Sequence, residues 1–176
     1  MVDGKFLSNV FSNMNGSARF MVVGQNPGRD EAERMEPFVG VSGRFFDKAA
    51  MDVLGLSRAD FYISNCVRCF TPGNRRPSLD EESNCRFFLD REVAILKPKL
   101  IIALGGSAFK QLTGMNGILK HHGEKILSLR YRVPVVPMLH PSPFNMNDPA
   151  KRDMFYADLE KLRGEICDNV AEVGGV

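Results

Sequence analysis

Three apolar runs in this chain break off into short polar loops, and the residues in those loops are of types that do chemistry. Phe20 to Val23 runs straight into Gly24-Gln25-Asn26-Pro27-Gly28, Phe61-Tyr62-Ile63 ends at Ser64-Asn65-Cys66, and Val133 to Leu139 ends at His140-Pro141-Ser142-Pro143-Phe144. The side-chain amides of Gln25, Asn26 and Asn65 each carry two donors and an acceptor, a set suited to reading a planar polar ligand or holding a water. His140 adds an imidazole that can donate a hydrogen bond while neutral. Gly24 and Gly28 allow a ligand close to the backbone, and Pro27 stiffens the loop between them. Between the first loop and the next apolar stretch, Pro37-Phe38-Val39-Gly40 presents an aromatic ring framed by turn-forming residues.

The elements that must hold these loops follow from periodicity. Short apolar runs at Phe20–Val23, Phe61–Ile63, Leu100–Leu104 and Val133–Leu139 have the length and character of buried parallel strands. Pro134 and Pro137 suit the last of these to a sheet edge or a strand end. Helical spacing appears at Phe6, Leu7, Val10, Phe11 and Met14, over Ser42 to Leu54 before Gly55, after the capping box Ser78-Leu79-Asp80-Glu81, from Gly105-Gly106 through Leu112, and over Pro149 to Ile166. Residues 68–77, RCFTPGNRRP, read as a basic exposed loop carrying Arg68, Arg75 and Arg76, and Thr113 to Arg132 as irregular and basic. His121 and His122, with Lys120 and Lys125, read as solvated or phosphate-facing. Strands alternating with helices imply an α/β fold in which the C-terminal ends of parallel strands gather the three polar loops.

Composition narrows the class without naming a partner. The 176 residues suit one domain, spanning 1–176, and 44% hydrophobic with 25% charged residues is the balance of a soluble globular protein. A net charge of +2 argues for nucleic acid only through local clusters. No apolar run approaches the ~20 residues of a membrane span, and the N-terminus lacks the blocks of a signal peptide, so a cytoplasmic protein with no membrane partner is expected. Neither G-x-G-x-x-G nor G-x-x-x-x-G-K-[ST] occurs, which leaves dinucleotide and P-loop chemistry without support. The cysteines Cys66, Cys69, Cys85 and Cys167 read as reduced thiols or metal ligands.

The motifs GQNPG, PFVGVSG, NCVRC followed after fifteen residues by Cys85 with GNRRP between, LIIALGGSAF and HPSPF, in that order, resemble the uracil-DNA glycosylase superfamily, and within it the family-four type, from about residue 20 to residue 160. The resemblance implies a three-layer α/β/α sandwich around a four-stranded parallel sheet. It implies hydrolysis of the bond between uracil and deoxyribose in DNA, leaving an abasic site. Two departures stand out. Where family four typically has Glu and a small residue, this chain has Gln25 and Asn26; Asn at the second of these places resembles the mismatch-specific and thymine-DNA branch, where it positions the attacking water. Family four also carries a [4Fe–4S] cluster on an N-terminal C-x-x-C and two later cysteines, which Cys69 and Cys85 match. Residues 1–19 contain no cysteine, so no cluster or other metal cofactor is expected.

An enzyme that cuts a base from DNA extrudes the nucleotide, stacks its face and reads its edge. Gly24, Gln25, Phe38 and Asn65 are the expected substrate-binding residues, with Phe38 under the ring and the Asn65 amide donating to O4 and accepting from N3–H. Asn26 and His140 are the expected catalytic pair: Asn26 holds the water and His140 donates to O2 as charge develops on the leaving base. A carboxylate at position 26 is expected to serve at least as well, by supporting an oxocarbenium-like transition state. Gly28, Ser42, Gly106, Ser107 and Ser142 are candidate phosphate contacts through backbone N–H and hydroxyl, and Phe144 a candidate wedge. The partner is then DNA bearing uracil or a related base, handled by a monomer; the alternative is a non-catalytic protein of the same fold that binds damaged or uracil-containing DNA.

Overall fold

The four buried runs form parallel strands of one sheet. The structure, a computed structural model, describes residues 10–171. Strand β1 (Phe20–Gly24) lies between β2 (Phe61–Asn65) and β3 (Leu100–Leu104), and β3 pairs with β5 (Pro134–Met138), all parallel. A fifth strand, β4 (Ile126–Leu127), adds antiparallel to β5, giving the order β2-β1-β3-β5-β4. The expected four-stranded parallel sheet is therefore a mixed sheet of five, because two residues of the segment expected to be irregular pair Ile126 with Val135 and Leu127 with Pro134. The same segment also contains one helical turn, α5 (Ile118–His121).

Alternation along each strand sorts side chains to two faces. Phe20, Val22, Ile63, Ile102 and Val136 face α2 (Val41–Leu54) and α7 (Pro149–Ala171), where Phe46, Ala49, Phe155 and Leu159 fill the core. Met21, Val23, Ile101, Ala103 and Val135 face α3 (Leu79–Leu96) and α4 (Gly106–Thr113), meeting Leu89, Val93, Phe109 and Leu112. The result is the α/β/α sandwich, and truncating a fully buried ring such as Phe46 or Phe155 to alanine would cost about 3–5 kcal/mol. Two further short helices, α1 (Arg29–Arg34) and α6 (Pro143–Met146), follow the first and last polar loops.

Helix α3 begins as its sequence dictates. Ser78 accepts from the Glu81 N–H at 3.2 Å, and the Glu81 carboxylate accepts from the Ser78 N–H at 2.7 Å. Both guanidinium arms of Arg75 also reach Glu81 at 2.8 Å, and that pairing pulls the Glu81 carboxyl down to about 2.

Four expectations are corrected. The helix read over residues 3–14 lies partly outside the described residues, and residues 10–15 are not helical; they run along β2, where Asn13 donates from its backbone N–H to Ile63 O at 3.1 Å, accepts from Ile63 N–H at 2.9 Å and donates from Nδ2 to Phe61 O at 2.8 Å. Unpaired strand groups outbid helical periodicity there. The fourth parallel strand is not an edge. Its prolines are tolerated because Pro134 opens it and Pro137 turns its carbonyl outward to Gly123 N–H at 2.9 Å, so its missing N–H also faces away from β3.

Arg68 is buried, not part of an exposed basic loop. It is sandwiched between the Phe11 and Phe88 rings and ion-paired with Glu92, whose carboxylate also accepts from Tyr62 and Ser64 hydroxyls. His122 does not face solvent or phosphate: its Nδ1 meets both oxygens of the buried Asp158 at 3.0 Å, while His121 pairs with Glu124 at 2.9 Å.

Candidate active site

The strand order reverses between β1 and β3, since β2 lies to one side of β1 and β3 and β5 to the other. Open α/β sheets bind ligands at such a switch point, outside the carboxyl ends of the strands. A cavity of about 430 Å³ opens there, lined by Gln25, Asn26, Gly28, Phe38, Ser42, Asn65, His140 and Ser142 of the expected residues.

The walls are set by close backbone approaches. Gly24 ends β1 beneath the Phe38 ring, and a Cβ there would come within 2.5 Å of Phe38 Cζ and 2.6 Å of Asn65 Oδ1. The first loop is pinned to the turn that follows β2 by Cys66 N–H on Gly24 O and Val67 N–H on Gln25 O, both at 2.9 Å. Asn65 is 4% exposed, and no hydrogen bond to its side-chain amide occurs among the described residues. Its amide opens on the cavity, where a ligand can take up its donors and acceptor. Phe38 stands 6.4 Å from the His140 ring, with the two planes 34° apart.

His140 follows β5 and is fixed through its backbone: its carbonyl accepts from Ser142 N–H at 2.8 Å and Asn145 Nδ2 at 2.9 Å. Gly105 at the end of β3 has φ +93°, and a Cβ there would press on His140 Cβ at 3.2 Å, so glycine meets both demands. Desolvation lowers the pKa of His140, with the Glu31 carboxylate opposing. The imidazole is therefore neutral at pH 7 and donates without a net charge.

Asn26 has its amide orientation decided by chemistry. Its nitrogen end lies 3.0 Å from Pro27 O, which can only accept, and 3.3 Å from Thr71 Oγ1, whose own hydroxyl donates to Arg75 O. With both donor positions directed to protein, the carbonyl oxygen is the end left for a water. Through Thr71, Arg75 and Glu81, this loop is tied back to the start of α3.

The remaining expected residues divide. Gly106 and Ser107 line a second cavity of about 550 Å³ on the far side of Gln25 and His140, with Arg76 and Lys110. As the first residues of α4 they have no intrahelical partner for their N–H groups. Gly28 is corrected as a phosphate donor: its N–H is taken by Glu31 Oε2 at 3.0 Å. The Ser142 N–H is likewise committed, which leaves its hydroxyl. Phe144 lines neither cavity and is 81% exposed on α6, with Lys151 Nζ 4.9 Å from its ring centre.

Glu31 and Asn74 line the first cavity and were not singled out by sequence. Glu31 straps the first loop to the turn before α2, its other oxygen accepting from Gly40 N–H at 2.7 Å. Glu31 at the third position of a glycine-capped helix is the one signal that pattern reading could have used.

A family model described as the Uracil DNA glycosylase superfamily matches residues 11–163. The chain belongs to this superfamily. It is 34% identical over 160 residues to a type-4 uracil-DNA glycosylase of Sulfurisphaera tokodaii, covering 83% of this chain and 69% of that protein. It is similarly 34% identical over 156 residues to a type-4 enzyme of Saccharolobus solfataricus, covering 85% and 72%. A type-4 enzyme of Archaeoglobus fulgidus is 31% identical over 160 residues, covering 87% and 79%.

The superfamily's type-4 branch raises the question of a four-thiolate cluster. Cys69 and Cys85 are half-buried, and burial together with Cys85 and Glu81 raises the Cys69 thiol. Cys66 is fully buried, and burial drives its thiol far above the ordinary range. Among the described residues no group of three or more His, Cys, Asp or Glu could hold a metal ion. The described thiols are Cys66, Cys69 and Cys85, one fewer than a four-thiolate cluster needs.

Proposed function

We propose that this chain is a monofunctional uracil-DNA glycosylase that hydrolyses the N-glycosidic bond of uracil in DNA and leaves an abasic site. The observation that carries the reading is the convergence of a cavity-facing amide (Asn65), an aromatic face (Phe38) and a neutral imidazole (His140) on one cavity at the sheet's switch point. The extruded base enters the cavity and stacks on the Phe38 ring, which the missing side chain of Gly24 allows to lie close over the end of β1. Asn65 then donates to O4 and accepts from N3–H.

As the N1–C1′ bond lengthens, its electron pair passes to the base, and His140 donates to O2 where that charge collects. A water held by the Asn26 carbonyl oxygen adds to C1′ of the oxocarbenium-like sugar. The water loses a proton to solvent, and the uracil anion leaves to be protonated in turn. Asn26 does not titrate, so the rate depends on leaving-group stabilisation more than on base catalysis. Free N–H groups at Gly106 and Ser107, the Ser42 and Ser142 hydroxyls, and the exposed Phe144 ring grip the flanking strand. This domain acts as a monomer in the cytoplasm.

The test is a panel of oligonucleotides bearing uracil, mismatched uracil, hypoxanthine and thymine. Release of free uracil with an abasic site supports the reading, release of another base only would redirect it to that base, and tight binding without release would make the chain a damaged-DNA binder. Two sharper results are expected. Asn65→Asp admits cytosine, because a carboxylate accepts from its exocyclic amine and no longer donates to uracil O4; undiminished uracil preference in single-turnover cleavage would move recognition elsewhere. The purified protein is colourless, with no broad absorbance near ~400 nm, and folds in iron-free medium; stoichiometric iron and sulfide would refute this.

A further inference from the structure

We propose that Arg58 is a positioning residue that holds the Phe38 ring as a base-stacking platform, an inference that rests on the stacking role given to Phe38 above. Phe38 has φ +52°, in the left-handed region that a bulky side chain rarely adopts. Such a conformation persists only where its surroundings impose it. Two contacts do so. On one side the Phe38 carbonyl oxygen occupies the space a Cβ at Gly43 would need, only 1.7 Å from that position. On the other side Arg58, in a single 3-10 turn (Arg58–Asp60) twenty residues along the chain, donates from Nη1 to Phe38 O at 3.1 Å and from Nη2 to Pro37 O.

A planar guanidinium spans two consecutive carbonyls in a way that an ammonium cannot. Arg58 is itself held, with Nη1 3.5 Å from Asp47 on α2 and Nη2 3.6 Å from Glu36. It does not line the cavity, so whatever it does for the substrate passes through Phe38. The tolerance is narrow, because the ring lies directly over Gly24 and beside Asn65. If the two carbonyls are released, φ can relax and the ring swings off the base.

A stacking contact acts on bound base in ground state and transition state alike. Arg58→Ala is thus expected to raise KM, and to weaken inhibition by free uracil, by about tenfold each, with kcat within about threefold of the parent. Arg58→Lys does not rescue either value. In a Phe38→Ala background, Arg58→Ala adds less than about twofold, since the platform is already gone. Unchanged uracil inhibition in Arg58→Ala, or a full second tenfold on top of Phe38→Ala, overturns the proposal.

A second measurement separates this from the activity itself. The chain contains no tryptophan, so Phe38→Trp carries a single indole whose time-resolved anisotropy reports platform mobility without any excision. The indole is restrained when Arg58 is present and loosened by Arg58→Ala. Equal mobility in both overturns the role of Arg58, whereas a parent that releases no base defeats the glycosylase reading and leaves this comparison intact.

Discussion

His140→Ala lowers the single-turnover rate of uracil release by about a hundredfold or more, about 2.7 kcal/mol of transition-state stabilisation, while binding of uracil DNA stays nearly unchanged. The asymmetry follows from where charge appears. In the ground state uracil O2 is an ordinary carbonyl oxygen, to which a neutral imidazole makes a modest hydrogen bond. Only as the glycosidic bond breaks does the oxygen become anionic, and only then does a donor fixed by Ser142 and Asn145 in a desolvated wall act at full strength. Because burial lowers its pKa, His140 contributes no inflection to the rate between pH about 6.5 and 8. Rate and affinity falling together would make His140 a binding group.

Asn26→Asp is expected to be slower than the parent by about tenfold or more at pH 7, reversing the sequence-based expectation that a carboxylate would equal or exceed the amide. The reason is local. The amide nitrogen sits 3.0 Å from Pro27 O, and an aspartate would set a charged oxygen against that carbonyl; Thr71, with its hydroxyl committed to Arg75 O, offers no donor unless that bond breaks.

Protonating the new carboxyl restores a donor, so the variant's rate should rise as pH falls through the carboxyl range. A carboxylate acting as base would do the opposite, gaining as pH rises through its pKa. Asn26→Ala, which loses the water's anchor without adding charge, is slow at every pH. An Asn26→Asp rate at or above the parent's at pH 7, or one that climbs with pH, would show that the amide's orientation does not matter.

These roles were legible to different depths. The parallel strands stood out because each is a short unbroken apolar run, and the residues that end them, Asn65 and His140, were conspicuous by contrast. The short elements were not legible. Two residues of β4 and four each of α5 and α6 carry no periodicity, and they form because neighbouring backbone needs partners. Glu31 and Arg58 escaped notice for a related reason: each is an ordinary surface charge in its own segment, and becomes specific only through contacts nine and twenty residues away. Gly28 was misread because a free loop N–H in sequence is a capped one in three dimensions. Arg68 looked like part of a basic loop until Phe11, Phe88 and Glu92 enclosed it.

The segment beside β2 and the prolines of β5 together decide how this sheet meets other molecules. An exposed strand offers a row of N–H and C=O groups onto which a second chain can add, the usual start of edge-to-edge aggregation. Here Asn13 occupies Phe61 and Ile63 on one flank by imitating a strand with its side chain. On the other flank β4 takes the first half of β5, and Gly123 takes the carbonyl of Pro137, which has no N–H to offer. Among the described residues, the β2 flank is capped at Phe61 and Ile63, and the other flank ends in the two residues of β4. What is left to a second copy there is the outer side of a two-residue strand, a ladder so short that it blunts edge-to-edge pairing.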